Sequence, residues 1–327
     1  MRPLCDLHIH IGASVAPHIL WSIAHDQGFK LPVKDYWEFV ELVTVNPRKV
    51  RSLEDYLSIL HDWTERIQSS PRAIERSVYE IIGKEFRGSR VTQIELRFNP
   101  MKRNLGGERD LDHIIHAAIR GMDRACLEYG VKAGLIFCLA REFSPDLNEI
   151  ILQKAIKYRN RGVVGIDLAG TEQRAIELDE SAEKYAKIFE HARAEDLGTT
   201  VHTGETQNTS GQGVIAVVQK LKPDRIGHGV RAAFDETATQ VLADSGVVLE
   251  LCPTSNLHTR AVRHLEDFQF IVNVFREKKV RYTINTDGTY LCSTTLRREF
   301  SLLREAGVLT DDEAETARQL AFDVSFI

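Results

Sequence analysis

Eight short apolar runs, each followed by a polar or glycine-bearing turn and a helix-length amphipathic stretch, recur along the 327-residue chain. Most of these runs are apolar at consecutive positions, as in GVVLELC and KAGLIFCL, a pattern typical of parallel strands buried on both faces. Eight alternating strands and helices predict an α/β fold, a closed (β/α)8 TIM barrel. The alternative, a doubly wound open sheet, lacks the G-x-G-x-x-G turn expected after its first strand. The predicted strands are 4–11, 92–98, 132–139, 163–168, 199–203, 225–228, 247–252 and 281–286.

The segment 17–90, between the first two predicted strands, is far longer than one crossover helix. We expect it to form a helical insertion that lies over the mouth of the barrel. Elsewhere, the amphipathic stretches 110–129, 180–196 and 234–245 predict helices between strands. No low-complexity linker or charge block divides the chain, so residues 1–327 are expected to form a single domain.

Composition limits the partners and the compartment. The net charge of −5 argues against a broadly basic surface for nucleic acid, but it permits a small anionic substrate in a locally basic pocket. The five cysteines are widely spaced and form no C-x-x-C pair, which is typical of reduced thiols in a cytoplasmic protein. No signal core or membrane-spanning run is present. We therefore expect a cytoplasmic protein with a small-molecule substrate and no nucleic-acid or membrane partner; its oligomeric state stays open.

Histidines and carboxylates fall at the carboxyl ends of the predicted strands. In a (β/α)8 barrel these ends meet on one face, where active sites lie. His8 and His10 are two residues apart on a strand, so both side chains point to the same side. Together with His202 and Asp287 they form a nitrogen-rich set that suits one zinc ion, although iron, manganese or cobalt could use the same ligands. The H-x-H pair alone is weak evidence, because such histidines are more often packed or exposed; the prediction depends on the convergence of all four residues.

Six segments at these strand ends, HIHIGAS, GIDLAGTE, VHTGE, IGHGV, LCPTSN and INTDG, resemble the strand-end motifs of the adenosine deaminase family and occur in the family's order. VHTGE followed by GHG is specific to that family, whereas H-x-H alone would admit other metal-dependent amidohydrolases. The resemblance implies one metal-dependent hydrolase domain with a zinc cofactor. It further implies an enzyme of purine metabolism that replaces the 6-amino group of an adenine nucleoside or nucleotide with oxygen.

The resemblance also implies a role for each matching residue. Glu205 would protonate the purine N1, and His228 would orient and stabilise the attacking water, with Asp287 sharing its proton. The backbone N–H of Gly170 would meet the purine N3. Asp167 and Ser255 would hold the metal ligands in place. The implied zinc ligands are His8, His10, His202 and Asp287.

Physical chemistry favours the same role for Glu205. Attack at C6 drives negative charge onto N1, so an acid is needed on that edge of the purine. A buried glutamic acid can stay protonated at neutral pH because desolvation raises its pKa. The glutamate of VHTGE, taken alone, would be interpreted as a solvated loop residue. An amidohydrolase that acts on a cyclic amide or ester would not need this acid, and a non-catalytic barrel would be expected to have lost the acid or a metal ligand.

Two departures from the family pattern concern substrate recognition. Gly12 stands where H-x-H-L-D-G has an aspartate, which in adenosine-specific members accepts a hydrogen bond from the ribose 5′-hydroxyl. Gly288 replaces a second aspartate, which contacts the purine N7 in the family. Thr171 also stands where an acidic or amide residue is common. The loss of the two aspartates would reduce the electrostatic repulsion of an anionic substrate from the predicted site.

The segment NPMKRN places Lys102 and Arg103 after the second strand, near the same barrel face. They could meet a phosphate group, although solvated surface charges are the alternative interpretation. Together with Gly12 they favour a 5′-substituted or anionic adenosine derivative, with cyclic 3′,5′-AMP first. Plain adenosine and aminodeoxyfutalosine remain alternative substrates.

Overall fold

The computed structural model describes residues 2–46 and 48–327. Met1 and Pro47, which belong to the predicted domain and insertion, lie outside the described residues. Eight parallel strands form one sheet in sequence order, and each strand pairs with the next. The TIM-barrel prediction is confirmed. The strands are β1 Leu4–His10, β2 Val91–Phe98, β3 Lys132–Ala140, β4 Val163–Ala169, β5 Gly198–Thr203, β6 Arg225–His228, β7 Val248–Leu251 and β8 Arg281–Ile284.

The barrel closes at a residue that follows β8. The Asp287 N–H donates to the His8 carbonyl at 2.8 Å, and the His10 N–H donates to the Asp287 carbonyl at 2.7 Å. Asp287 has a φ of 63°, a left-handed conformation that costs energy for a residue other than glycine. The predicted eighth strand, 281–286, is therefore two residues too long, because the backbone leaves the strand to make this closure.

Helices surround the barrel and end close to the positions predicted. The observed ends differ by no more than two residues from the predictions 110–129, 180–196 and 234–245, partly because Asp110 and Asp235 act as N-caps outside their helices. The helices that follow β2 to β8 are α6 Leu111–Tyr129, α7 Pro145–Tyr158, α8 Ala182–Ala194, α9 Ser210–Ala216, α10 Glu236–Ser245, α11 Pro253–His258, α12 Leu265–Lys278, α13 Leu296–Glu305 and α14 Asp311–Asp323.

The segment between β1 and β2 is helical. Within it, helix α3 (Leu53–Ile59) runs through a π-helical turn (Leu60–Thr64) directly into helix α4 (Glu65–Ile67). π-Helical turns are frequent at functional sites. α5 packs closely on α6, since a Cβ atom on Gly121 would lie 2.3 Å from the Glu75 carbonyl oxygen. No helix in residues 2–46 or 48–327 is both long and apolar enough to span a membrane. The elements of this segment are α1 Pro17–Asp26, α2 Tyr36–Val43, α3 Leu53–Ile59, the π-helical turn Leu60–Thr64, α4 Glu65–Ile67 and α5 Pro71–Ser89.

Candidate metal and acid–base site

Four histidine rings and one carboxylate converge at the carboxyl ends of β1, β5 and β6 and just after β8. The Nε2 atoms of His10 and His202 are 3.1 Å apart. An Asp287 carboxylate oxygen lies 3.7 Å from His8 Nε2 and 3.5 Å from His10 Nε2. Potential ligand atoms lie within 4.8 Å of one another in two overlapping groups. The structure thus brings the four predicted ligands together. The groups are His8, His10 and His202, and His8, His228 and Asp287.

The state of these histidines fits a divalent metal ion. His8 Nδ1 lies 2.7 Å from Glu250 Oε2, whereas His8 Nε2 is buried and has no hydrogen-bond partner. A buried polar atom without a partner is costly, and a metal ion would satisfy it. Burial lowers the pKa of His10 to about 3 and also lowers the pKa of His202. Both rings are therefore neutral, which is the form that binds metals.

Two carboxylates hold the metal-facing histidines, and one arginine joins them. Glu250 contacts His8, and Asp167 lies 3.0 Å from His202 Nδ1. The buried Arg97 guanidinium donates to Asp167 Oδ2 at 3.1 Å and to Glu250 Oε2 at 2.9 Å. Carboxylates in this position fix the orientation of a ligating imidazole and increase its basicity. The sequence interpretation missed Arg97 and Glu250, although a charged residue within an apolar strand run was a visible signal.

Arg97→Gln should weaken metal binding by about 10- to 100-fold, the usual cost of losing a group that supports metal ligands. Metal content after dialysis against graded chelator concentrations would measure the loss. Arg225→Gln is the matched control, because Arg225 is equally buried but contacts Glu250 through Oε1, at 2.7 Å, and not through the oxygen that faces His8. If both variants retained metal equally well, Arg97 would have no part in orienting the ligands.

Asp287 is also held in place from outside the cluster. The Ser255 hydroxyl, on α11, donates to Asp287 Oδ2 at 2.5 Å. Burial opposes ionisation, but contacts with His8 and His10 keep the pKa of Asp287 well below its usual range. Asp287 is therefore a carboxylate at neutral pH and can serve as an anionic ligand. The supporting role of Ser255 stays a prediction, and this contact is the one through which Ser255 would hold Asp287.

Glu205 is buried beside the cluster. One of its carboxyl oxygens lies 3.6 Å from His228 Nε2, and the other accepts a hydrogen bond from the Thr259 hydroxyl at 3.0 Å. Burial, together with the negative charges of Glu172 and Asp287, raises the pKa of Glu205 well above its usual value. The raised pKa favours the protonated form of this carboxyl group, which is the form that can donate a proton.

His228 presents a neutral ring at the same place. Burial, reinforced by His8, lowers the pKa of His228 well below its usual value. The Asn256 side-chain amide contacts His228 Nδ1 at 3.0 Å and fixes the ring. The backbone of His228 has a φ of 62°, and strained backbone of this kind tends to persist at functional sites.

A small cavity of about 50 Å³, which we call the Gly12 cavity, opens beside His10. A Cβ atom on Gly12 would lie 2.8 Å from Leu60 Cδ1 and 3.0 Å from Glu65 Cγ, so a side chain at residue 12 would require these neighbours to shift. Gly288 is equally confined, since its Cβ would lie 2.5 Å from Ala13 Cβ. The residues that line the cavity include His10, Gly12, Leu60, His61, Glu65, Arg97, Phe98, Lys102, Arg103 and Gly170.

The two predicted cations both face this cavity. The Arg103 side chain is fully buried, and its NH1 atom lies 2.7 Å from Glu65 Oε1. Lys102 is 18% exposed, with Nζ 3.7 Å from Glu142 Oε2. The alternative interpretation, that these residues are solvated surface charges, is wrong for Arg103. Glu65 and Glu142 were missed by the sequence interpretation, since nothing in the local sequence connects Glu65 to this cavity or Glu142 to Lys102.

Gly170 directly follows β4 and has a φ of 107°, a conformation that favours glycine. A side chain there would also collide with Glu142, whose oxygens lie 2.6 Å from the position of a Cβ atom. The backbone N–H of Thr171 donates to Glu142 at 2.9 Å. This contact fixes the loop that carries the predicted Gly170 contact to the purine, which stays a prediction.

Comparison with known proteins accounts for this arrangement. A family model described as adenosine deaminase matches residues 3–327. The chain belongs to the adenosine deaminase family. It is 29% identical over 311 residues to an adenosine deaminase of Vibrio vulnificus (strain YJ016), an alignment that covers 95% of this chain and 90% of the relative. The protein is accordingly a hydrolytic deaminase enzyme of this family.

Solved structures share the fold at lower sequence identity. An adenine deaminase from Arthrobacter aurescens superposes with a TM-score of 0.85 at 20% identity, covering 100% of this chain and 94% of that one. A Burkholderia ambifaria amidohydrolase with bound Zn gives 0.85 at 21% identity, covering 99% and 86%. The Arabidopsis N6-mAMP deaminase gives 0.81 at 24% identity, covering 99% and 93%. These likenesses concern the fold.

Proposed function

We propose that this enzyme hydrolyses the 6-amino group of an adenine nucleoside or nucleotide, releasing ammonia and the hypoxanthine product, with zinc as its cofactor. The observation that carries the proposal is the buried Glu205 carboxyl group beside histidine nitrogens that suit a divalent metal ion. When bound, zinc supplies the Lewis acidity that ionises water near neutral pH. The bound Zn of the Burkholderia structure supports this choice of metal. The proposed ligands are His8, His10, His202 and Asp287.

The residues of this chain would divide the remaining work. Glu205 donates its proton to the purine N1 as negative charge develops there, so the ring need not carry that charge alone. His228, neutral and 3.6 Å from Glu205, orients the attacking water. The Gly170 backbone N–H donates to N3, which lies on the other side of C2 from N1. The five cysteines are free, and four of them are buried, which supports the proposal of a reducing, cytoplasmic setting.

With N1 at Glu205 and N3 at Gly170, the sugar on N9 would lie toward the Gly12 cavity. Arg103 supports an anionic substituent there. Its NH1 atom contacts Glu65 in an ion pair, whereas its two other guanidinium nitrogens are buried without a hydrogen-bond partner. We therefore propose 5′-substituted or anionic adenosine derivatives as substrates, cyclic 3′,5′-AMP foremost. Adenosine and aminodeoxyfutalosine are the alternatives. The Arabidopsis enzyme, by its name, acts on a nucleotide.

Ammonia release from cyclic AMP, 5′-AMP, aminodeoxyfutalosine and adenosine tests this preference. Cyclic AMP should exceed adenosine in kcat/KM by about tenfold, the value of one hydrogen bond to a charged group. Lys102→Met should reduce that advantage, while Lys187→Met, at an exposed lysine of α8, is the charge-matched control. Gly12→Asp would crowd Leu60 and Glu65, so that variant would test packing as well as preference. A tenfold advantage for adenosine would contradict the proposal.

A further inference from the structure

Gly12 stands where the family has an aspartate, but a different acidic residue, Glu65, lies beside it. A Cβ atom on Gly12 would lie 3.0 Å from Glu65 Cγ, so the Glu65 side chain lies next to the position of an aspartate side chain at residue 12. Glu65 begins α4, directly after the π-helical turn Leu60–Thr64. The Gly12 cavity therefore keeps a carboxylate, and the segment between β1 and β2 supplies it instead of the loop after β1.

Each cation at the Gly12 cavity has a carboxylate partner, and that of Arg97 is the pair of Asp167 and Glu250. Arg103 faces Glu65 at 2.7 Å, and Lys102 faces Glu142 at 3.7 Å. Burial opposes ionisation, but Arg103 and His61 hold the pKa of Glu65 well below its usual range. Burial likewise opposes the ionisation of Glu142, whose pKa Lys102 nevertheless lowers. Both acids are carboxylates at neutral pH, so they match the two cations one for one.

His61 contacts both Glu65 and Lys102. Its Nδ1 lies 2.6 Å from Glu65 Oε2, and its Nε2 lies 3.4 Å from Lys102 Nζ. A carboxylate only accepts hydrogen bonds and a lysine ammonium only donates them. A ring with its proton on Nδ1 can donate to Glu65 and accept from Lys102. Arg103 still has N–H donors without acceptors.

We propose, on the basis of the proposed function, that the Gly12 cavity selects a singly charged phosphodiester group on the substrate's sugar over a doubly charged phosphomonoester. The free donors of Arg103 and Lys102 can satisfy one negative charge. A second negative charge would lie against the buried carboxylate of Glu65 and close to that of Glu142. Two like charges about 4 Å apart in such surroundings repel strongly enough to change an equilibrium constant by more than tenfold.

A matched pair of substrates isolates the charge. Adenosine 5′-(methyl phosphate) and 5′-AMP place phosphorus at the same position, but at pH 8 the first carries one negative charge and the second carries about two. The wild-type enzyme should deaminate the methyl ester with kcat/KM at least about tenfold higher. Equal values, or a higher value for 5′-AMP, would overturn the inference.

Glu65→Gln and Glu142→Gln each remove one negative charge with little change in volume. Each should reduce the preference for the methyl ester by about tenfold, mainly through KM for 5′-AMP. Glu190→Gln, at an exposed glutamate of α8, changes the net charge equally and should leave the ratio as in the wild type. If thermal unfolding shows that Glu65→Gln fails to fold, Glu142→Gln decides the matter, because its side chain is 32% exposed.

Adenosine separates the two proposals. If neither adenosine nor the phosphates release ammonia, the proposed function fails, and this inference fails with it. If adenosine is deaminated while the ratio of the two phosphates stays unchanged in both glutamine variants, only the inference of a phosphodiester-selective cavity is overturned.

Discussion

Glu205→Gln should fold normally and keep its metal but lose activity by at least about 100- to 10,000-fold, the usual contribution of general acid catalysis. The amide has nearly the same volume as the acid and can still accept the hydrogen bond from the Thr259 hydroxyl. It cannot deliver a proton to N1. Single-turnover rates with saturating substrate, measured beside metal content and thermal unfolding, would separate loss of chemistry from loss of structure.

Glu172→Gln is the matched control for this experiment. Glu172 is also buried, and it accepts the backbone N–H of Glu205 at 3.1 Å. Its replacement should lower the rate far less, because the Glu205 carboxyl group remains. A wild-type rate for Glu205→Gln would show that the proton reaches the purine by another route and that the proposed mechanism is wrong.

Removal of the metal should abolish activity. The purified protein should contain about one divalent metal ion per chain, and replacing His8, His10 or His202 by alanine should remove both metal and rate, since ionising water at neutral pH depends on the metal. Elemental analysis of each variant, followed by activity before and after chelation and on re-addition of zinc, would test this. Full activity in rigorously metal-free protein would contradict the proposed cofactor.

His228→Ala is the control for ligand loss. Its ring belongs to one of the two overlapping groups of potential ligand atoms, but we assign it to the attacking water and not to the metal. The variant should therefore keep its metal while kcat falls. Loss of metal in this variant equal to that in His10→Ala would move His228 into the ligand set.

The barrel could be predicted because strands buried on both faces must be apolar at consecutive positions. The residues of the candidate metal and acid–base site could also be predicted from the sequence, because the fold brings the carboxyl ends of distant strands to one face. His8 and Asp287 are far apart in sequence, yet the closing hydrogen bonds make them neighbours. For this reason a pattern of strand-end residues was enough to place the candidate metal site.

The supporting residues could not be placed in the same way. Arg97 and Glu250 lie within strands, and their contact depends on the size and packing of the barrel interior, which sequence periodicity does not report. The position of the Glu65 side chain depends on a π-helical turn, in a segment where no strand register fixes which residues face the site. The carboxylate missing from residue 12 was thus expected to be absent from the site, whereas three-dimensional packing restores it from elsewhere in the chain.

Asp287 connects the closure of the barrel to the occupancy of the site. Its backbone joins β1 to the chain beyond β8, while its carboxylate is a proposed metal ligand. An ion held by His8, His10 and Asp287 would therefore link the first strand to the chain that follows the last strand. Any ligand that binds only the folded state stabilises it by mass action. Metal binding would therefore stabilise the closed barrel as well as support catalysis.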